Sequence, residues 1–251
     1  MRRTQRSTVS RRALLSALGT GVLGAFAGGG AATQRRRASD YAVVQGDRCE
    51  PVAPVRGRLP VEEFYDYQLP KKYVSEENGA SIGFATRYAS AGTVELQREK
   101  TSLLLLYRGP KGLSLVVVHG RIESSIGGSV TFGLDGLPSG GEWAVRDDFY
   151  RNPNTGVVAS TNFDRWRVDG SEHVVDWTWG KAGTDGGAFR GLGENFDVVV
   201  RPGFNEDAAL EGEHYEGEIT DWEFLSGSAG VSERVSLDLD RPIRIRTGTC
   251  E

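Results

Sequence analysis

The chain has 251 residues and a formal net charge of −4. Five arginines and no acids lie within residues 1–27, so everything after them carries −9. That balance argues against a nucleic-acid partner, because phosphate binding needs clustered positive charge. The two cysteines, Cys49 and Cys250, have no neighbouring cysteine or histidine at metal-ligand spacing.

In chain order, Ser10-Arg11-Arg12-Ala13-Leu14-Leu15 sets an arginine pair ahead of a modestly apolar run, Ala13 to Ala27. Ala25-Phe26-Ala27 ends that run with small residues of the kind a signal peptidase reads. The segment resembles a twin-arginine export signal, with Arg11 and Arg12 as the pair that a twin-arginine translocase would recognise. The run is shorter than the ~20 apolar residues of a spanning helix, so no membrane span is expected once it is cleaved. Residues 1–34 are read as signal and leader, 35–40 as a linker, and 41–251 as one domain. Export implies an extracellular or cell-surface location. In an oxidising compartment, the two thiols are expected to form one disulfide joining the two ends of the mature fold.

Tyr41 to Val44 reads as a first strand, and Pro60 to Tyr67 as one short helix, with proline early and acids in its first turn. Strands follow from Ile82 onward. Leu103 to Tyr107 and Leu113 to Val118 are continuous apolar runs around Gly109-Pro110-Lys111-Gly112, which predicts a hairpin buried on both faces. Val130, Phe132 and Leu134 alternate with polar or small residues, as do Val235, Leu237 and Leu239, and Ile243 and Ile245. Period two with a polar outer face marks half-buried antiparallel strands. Asp135-Gly136, Pro138 to Gly141, Asp169-Gly170 and Asp185-Gly186-Gly187 read as turns between them. Asn205 is expected to cap one helical turn running to Leu210. No long helical period appears, so the expected fold is all-β, an antiparallel sandwich of about 10–13 strands with one short helix.

Candidate sites are few. His173 to Trp179 as a strand places Trp177 and Trp179 on one face, either as a stacking platform for a glycan or as core. Asp147, Asp148, Asn152 and Asn154 offer alternating oxygen ligands that could wrap calcium, although the spacing is not that of the helix-loop-helix calcium loop. The alternative is a solvated turn, with no cofactor at all. Glu211 to Glu218 surrounds His214 with glutamates and reads most plainly as an acidic loop. No catalytic residue is assigned. There is no Gly-x-Ser-x-Gly elbow and no His-Glu-x-x-His pair, while a hydrolytic carboxylate pair cannot be picked from 34 acids. The expected function is therefore a secreted, non-catalytic binding or cell-surface module, with a glycan or cell-envelope component as partner. The alternatives are a carbohydrate-active hydrolase and a calcium-stabilised envelope protein.

Three segments, Gly112 to Gly120, Thr184 to Ala188 and Arg234 to Leu239, resemble a group of twin-arginine-exported proteins of halophilic archaea. The resemblance implies export and an acidic, salt-adapted surface, which the five lysines of the chain also fit. It carries no activity.

Overall fold

The computed structural model describes residues 40–69, 88–151, 156–158, 162–228 and 231–250. Arg11 and Arg12 of the export segment, and Asn152 and Asn154 of the calcium-loop reading, lie outside the described residues. Among those described, β1 (Tyr41–Gln45), β2 (Arg48–Val52) and β3 (Val55–Arg56) precede α1 (Val61–Tyr65). Next come β4 (Tyr67–Gln68), β5 (Ala89–Ser90), β6 (Thr101–Gly109), β7 (Gly112–His119), β8 (Gly128–Asp135) and β9 (Glu142–Arg146). The chain continues as β10 (Arg165–Asp169), β11 (Glu172–Trp179), β12 (Asp185–Arg190) and β13 (Asp197–Phe204). It closes with β14 (Asp221–Ser228), β15 (Val231–Leu237) and β16 (Ile243–Thr247).

Two sheets face each other, as the alternation predicts. One has the order β10-β11-β8-β13-β16-β1-β2, the other β15-β14-β6-β7-β12-β9, with β3 added beside β6. Pairing is antiparallel except for β14 and β3, which both run parallel to β6. The inward residues of the first sheet include Val130, Phe132, Leu134, Ile243 and Ile245, and they meet Leu104, Leu106, Leu115, Val117 and Phe224 of the second in one core.

The β6–β7 hairpin is buried on both faces for a visible reason. Its inner face joins that core, while Leu103, Leu105, Val116 and Val118 on the outer face are covered by Val61 and Tyr65 of α1. The helix starts just after Pro60, whose carbonyl accepts from the Phe64 amide at 2.9 Å. It stops at Asp66, which takes a left-handed conformation (φ 48°). Two local expectations change. Asp185-Gly186-Gly187 is the start of β12 and not a turn. Asn205 lies within a 3-10 turn at Asn205–Asp207, and its side-chain amide binds the backbone of Ile219 in both directions, at 2.7 and 3.1 Å, without capping the turn.

β1 lies between β2 and β16, so the first and last strands are neighbours. Cys49 on β2 and Cys250 beyond β16 form a disulfide, with Cα atoms 5.6 Å apart across 201 residues of sequence. A bridge closing so long a loop restricts the unfolded chain strongly, and native bridges typically contribute about 2–4 kcal/mol. Cys49→Ser and Cys250→Ser are each expected to fold and to melt about 5–15 °C lower. The double variant should melt with the singles, because either change removes the whole bridge. Additive losses in thermal scans would contradict this.

Candidate functional site

The two sheets end side by side at β9 and β10, the edge strands that open the sandwich on one flank. At one end of that flank the chain gathers four aspartates, with Asp147, Asp148 and Asp185 buried and Asp164 half-buried. β9 leads straight into Asp147 and Asp148, and Asp148 takes a left-handed backbone (φ 57°), a conformation that aspartate tolerates. This turn sends both carboxylates into the fold. Asp147 Oδ2 accepts from the Tyr65 hydroxyl at 2.6 Å, and Oδ1 accepts from the Asp148 amide at 3.0 Å. Asp148 Oδ1 accepts from the Tyr67 hydroxyl at 2.7 Å.

Asp185 opens β12, with Oδ1 bound by the Gly186 amide at 2.7 Å. Asp164 precedes β10, with Oδ1 bound by the Thr178 amide at 3.2 Å. Oδ2 of both is buried with no donor, although the two side chains are hydrogen-bond neighbours of one another. No ion pair reaches any of the four among the described residues.

Burial pushes the carboxyls of Asp147, Asp164 and Asp185 well above the usual carboxylate range, and their mutual repulsion adds to it. Burial pushes Asp148 up to about 7, opposed by the Tyr67 hydrogen bond. Burial first, and then the Asp147 charge, raises both tyrosines, which therefore remain hydroxyl donors. No set of three or more His, Cys, Asp or Glu side chains stands at metal-ligand spacing among the described residues.

Along the same flank runs an open groove of about 400 Å³. Glu142, Trp143, Arg146, Phe149, Val168 and His173 are among the residues that line it. Trp143 packs edge-on against Trp166 (centroids 5.0 Å) and Phe189 (5.6 Å). Its indole N–H donates to His173 Nδ1 at 2.9 Å. The histidine proton therefore sits on Nε2, which faces the Gly170 carbonyl at 3.3 Å. Burial lowers the His173 pKa and the Arg146 charge lowers it further, while the Gly170 carbonyl opposes both, so the neutral ring is a fixed acceptor that orients Trp143. The Arg146 guanidinium stands 5.5 Å from the Phe149 ring centre and 5.6 Å from that of Trp166. Phe149 and Val168 remain 43% and 49% exposed.

Trp177 and Trp179 lie elsewhere than a surface. They are 0% and 2% exposed, and Trp177 donates to the Gly186 carbonyl at 2.9 Å. Trp179 stacks on buried His119 at 5.6 Å, and burial lowers that histidine to about 3. The exposed stacking platform is thus not formed by this pair; their strand packs against the opposite sheet. The His214 loop is likewise structural in its contacts. The imidazole stacks on Phe163 at 3.7 Å, and Glu213 pairs with Arg165 at 2.6 Å. Sequence reasoning paired Asp147 and Asp148 with the following asparagines, whereas the fold brings them together with Asp164 and Asp185. It missed Trp143, Arg146 and His173 as one group, because their proximity depends on how β9, β10 and β11 are placed. Comparison with known families, with curated proteins and with solved structures returns no match to this chain.

The aspartate corner makes stability fall with pH. Asp148 has a folded value of about 7 against an ordinary 3.8, so between these the folded state holds more protons than the unfolded one. The stability of the protonated form is complete below about pH 4 and is lost as pH rises through about 7. Wild type and Asp148→Asn should therefore melt together near pH 4, with the variant melting higher near pH 8. A constant difference across that range in calorimetric scans would contradict the assignment.

Proposed function

We propose that this protein is exported and works outside the cell as a non-catalytic β-sandwich binding module, with the β9–β10 groove as its ligand surface. The observation that carries the reading is the groove itself. It presents Trp143, Phe149, Val168 and Arg146 to solvent side by side, in a volume typical of small-ligand sites. Hydrolysis of a glycoside needs two carboxyl groups facing the substrate. Glu142, the acid lining the groove among the described residues, is held by Arg190, and Asp147, Asp148 and Asp185 nearby are buried. The Arg11-Arg12 segment and the Cys49–Cys250 bridge support export to an oxidising compartment. No helix among the described residues is long and apolar enough to cross a membrane. A glycan or another cell-envelope component is the partner in this reading.

Affinity electrophoresis of the secreted protein through acidic and neutral polysaccharides tests it. Retardation that Trp143→Ala abolishes, with no release of reducing ends, is the expected outcome. Turnover of a retarding polysaccharide, or retardation unchanged in Trp143→Ala, would overturn the reading.

The donor-free Oδ2 atoms of Asp164 and Asp185 favour a second reading, a calcium-stabilised fold. In that case a chelator lowers the melting temperature near pH 7, and Asp185→Asn removes the effect. A melting temperature indifferent to chelator would overturn this second reading.

A further inference from the structure

Resting on the binding-module reading, we infer that the groove takes a carboxylate-bearing saccharide, with Arg146 as the anchor for the carboxylate. Many charged side chains of this fold are matched, and Arg146 is one of several basic residues, Arg56, Arg58 and Arg121 among them, with no carboxylate partner among the described residues. Arg165 pairs with Glu213, Arg190 with Glu62 and Glu142, Arg234 with Glu223, and Arg244 with Asp197. Arg146 pairs with no carboxylate among the described residues, in a chain whose net charge is negative.

Its isolation has a structural origin. Asp147 and Asp148, the next two residues, turn their carboxylates inward to Tyr65 and Tyr67. Glu142, the acid of the groove, is taken by Arg190. His173 is neutral, because its Nδ1 accepts a hydrogen bond from the Trp143 indole N–H. Contacts with Phe149 and Trp166 hold the guanidinium in place without consuming its hydrogen-bonding fork. A planar fork that is already oriented binds a carboxylate with two parallel hydrogen bonds and little ordering cost.

The rest of the groove selects the body that carries the carboxylate. The Trp143 indole N–H is spent on His173, so the ring offers the ligand only its apolar surface. Phe149 adds a second exposed ring beside the cation. An apolar ring next to a carboxylate receptor fits the C–H face of a pyranose bearing a carboxyl group. An extended acidic peptide gains nothing from the rings, and so is the lesser match.

The test is titration calorimetry of the secreted protein with oligogalacturonate, its methyl ester and oligoglutamate. Oligogalacturonate should bind, and binding should weaken as salt screens the charge. The methyl ester should bind about tenfold more weakly, and Arg146→Gln should lose about tenfold for the acid while treating acid and ester alike. Arg146→Lys should fall between, since it keeps the charge and loses the fork. Phe149→Ala, at an exposed position, should weaken acid and ester both, the acid more because the ring also holds the guanidinium. Ester binding as tight as acid binding, or no effect of Arg146→Gln, would overturn carboxylate recognition while leaving the binding module standing. Tighter binding of oligoglutamate would replace the saccharide by a peptide. Failure of all three probes to bind would overturn both the ligand class and the groove.

Discussion

The hydrogen bonds from the Tyr65 and Tyr67 hydroxyls to Asp147 and Asp148 fix the corner on which this account depends. They tie α1 and β4, which lie over the outer face of one sheet, to the end of that sheet's edge strand. The corner also reaches the core. The Gly186 carbonyl accepts from the Asp147 amide at 3.3 Å and from the Trp177 indole at 2.9 Å. Only glycine serves there, since its φ is 144° and an added Cβ would come within 2.1 Å of the Val117 carbonyl. β5 is pinned to the same place through the Ser90 amide and the Thr184 hydroxyl at 2.9 Å. Helix, edge strand and interior are thus registered by a few polar contacts.

Turning two acids inward has opposite effects on the two sides of the chain. Inside, carboxyl groups accumulate where water cannot reach them, and five donors from Tyr65, Tyr67 and the amides of Asp148, Gly186 and Thr178 serve them. A buried carboxylate without a counter-charge is costly, so the corner favours the protonated form. Outside, the same turn strips Arg146 of its nearest acids and leaves Phe149 facing solvent beside it. The chemistry of the groove follows from where the aspartates went.

Much of the fold is legible in the sequence. Alternation at Val130, Phe132 and Leu134 marks a strand with one face in the core, and the unbroken runs of β6 and β7 mark strands covered on both sides. The disulfide follows from the count of two cysteines, if the chain is placed in an oxidising compartment. The parallel pairing of β14 with β6 does not follow, because no local turn specifies it. Alternation also placed Trp177 and Trp179 on one face without saying what covers that face, and the answer is the opposing sheet. The corner was half visible. Asp147 and Asp148 attract attention as adjacent acids, but Asp185 stands before two glycines and so looks like a turn. Asp164 lies far from its partners in the sequence. Burial converts acids scattered along the sequence into one cluster of carboxyl groups, and burial is a property of the tertiary arrangement.

The inward turn of the acids is tested most directly by the side-chain carbon resonance of Asp148, followed by NMR as a function of pH in metal-free buffer containing a chelator. The expected result is a carboxyl that titrates near 7. Titration in the ordinary aspartate range near 3.8 would contradict it. In that case the carboxylates face water, Arg146 has partners of its own, and the groove loses the charge assigned to it.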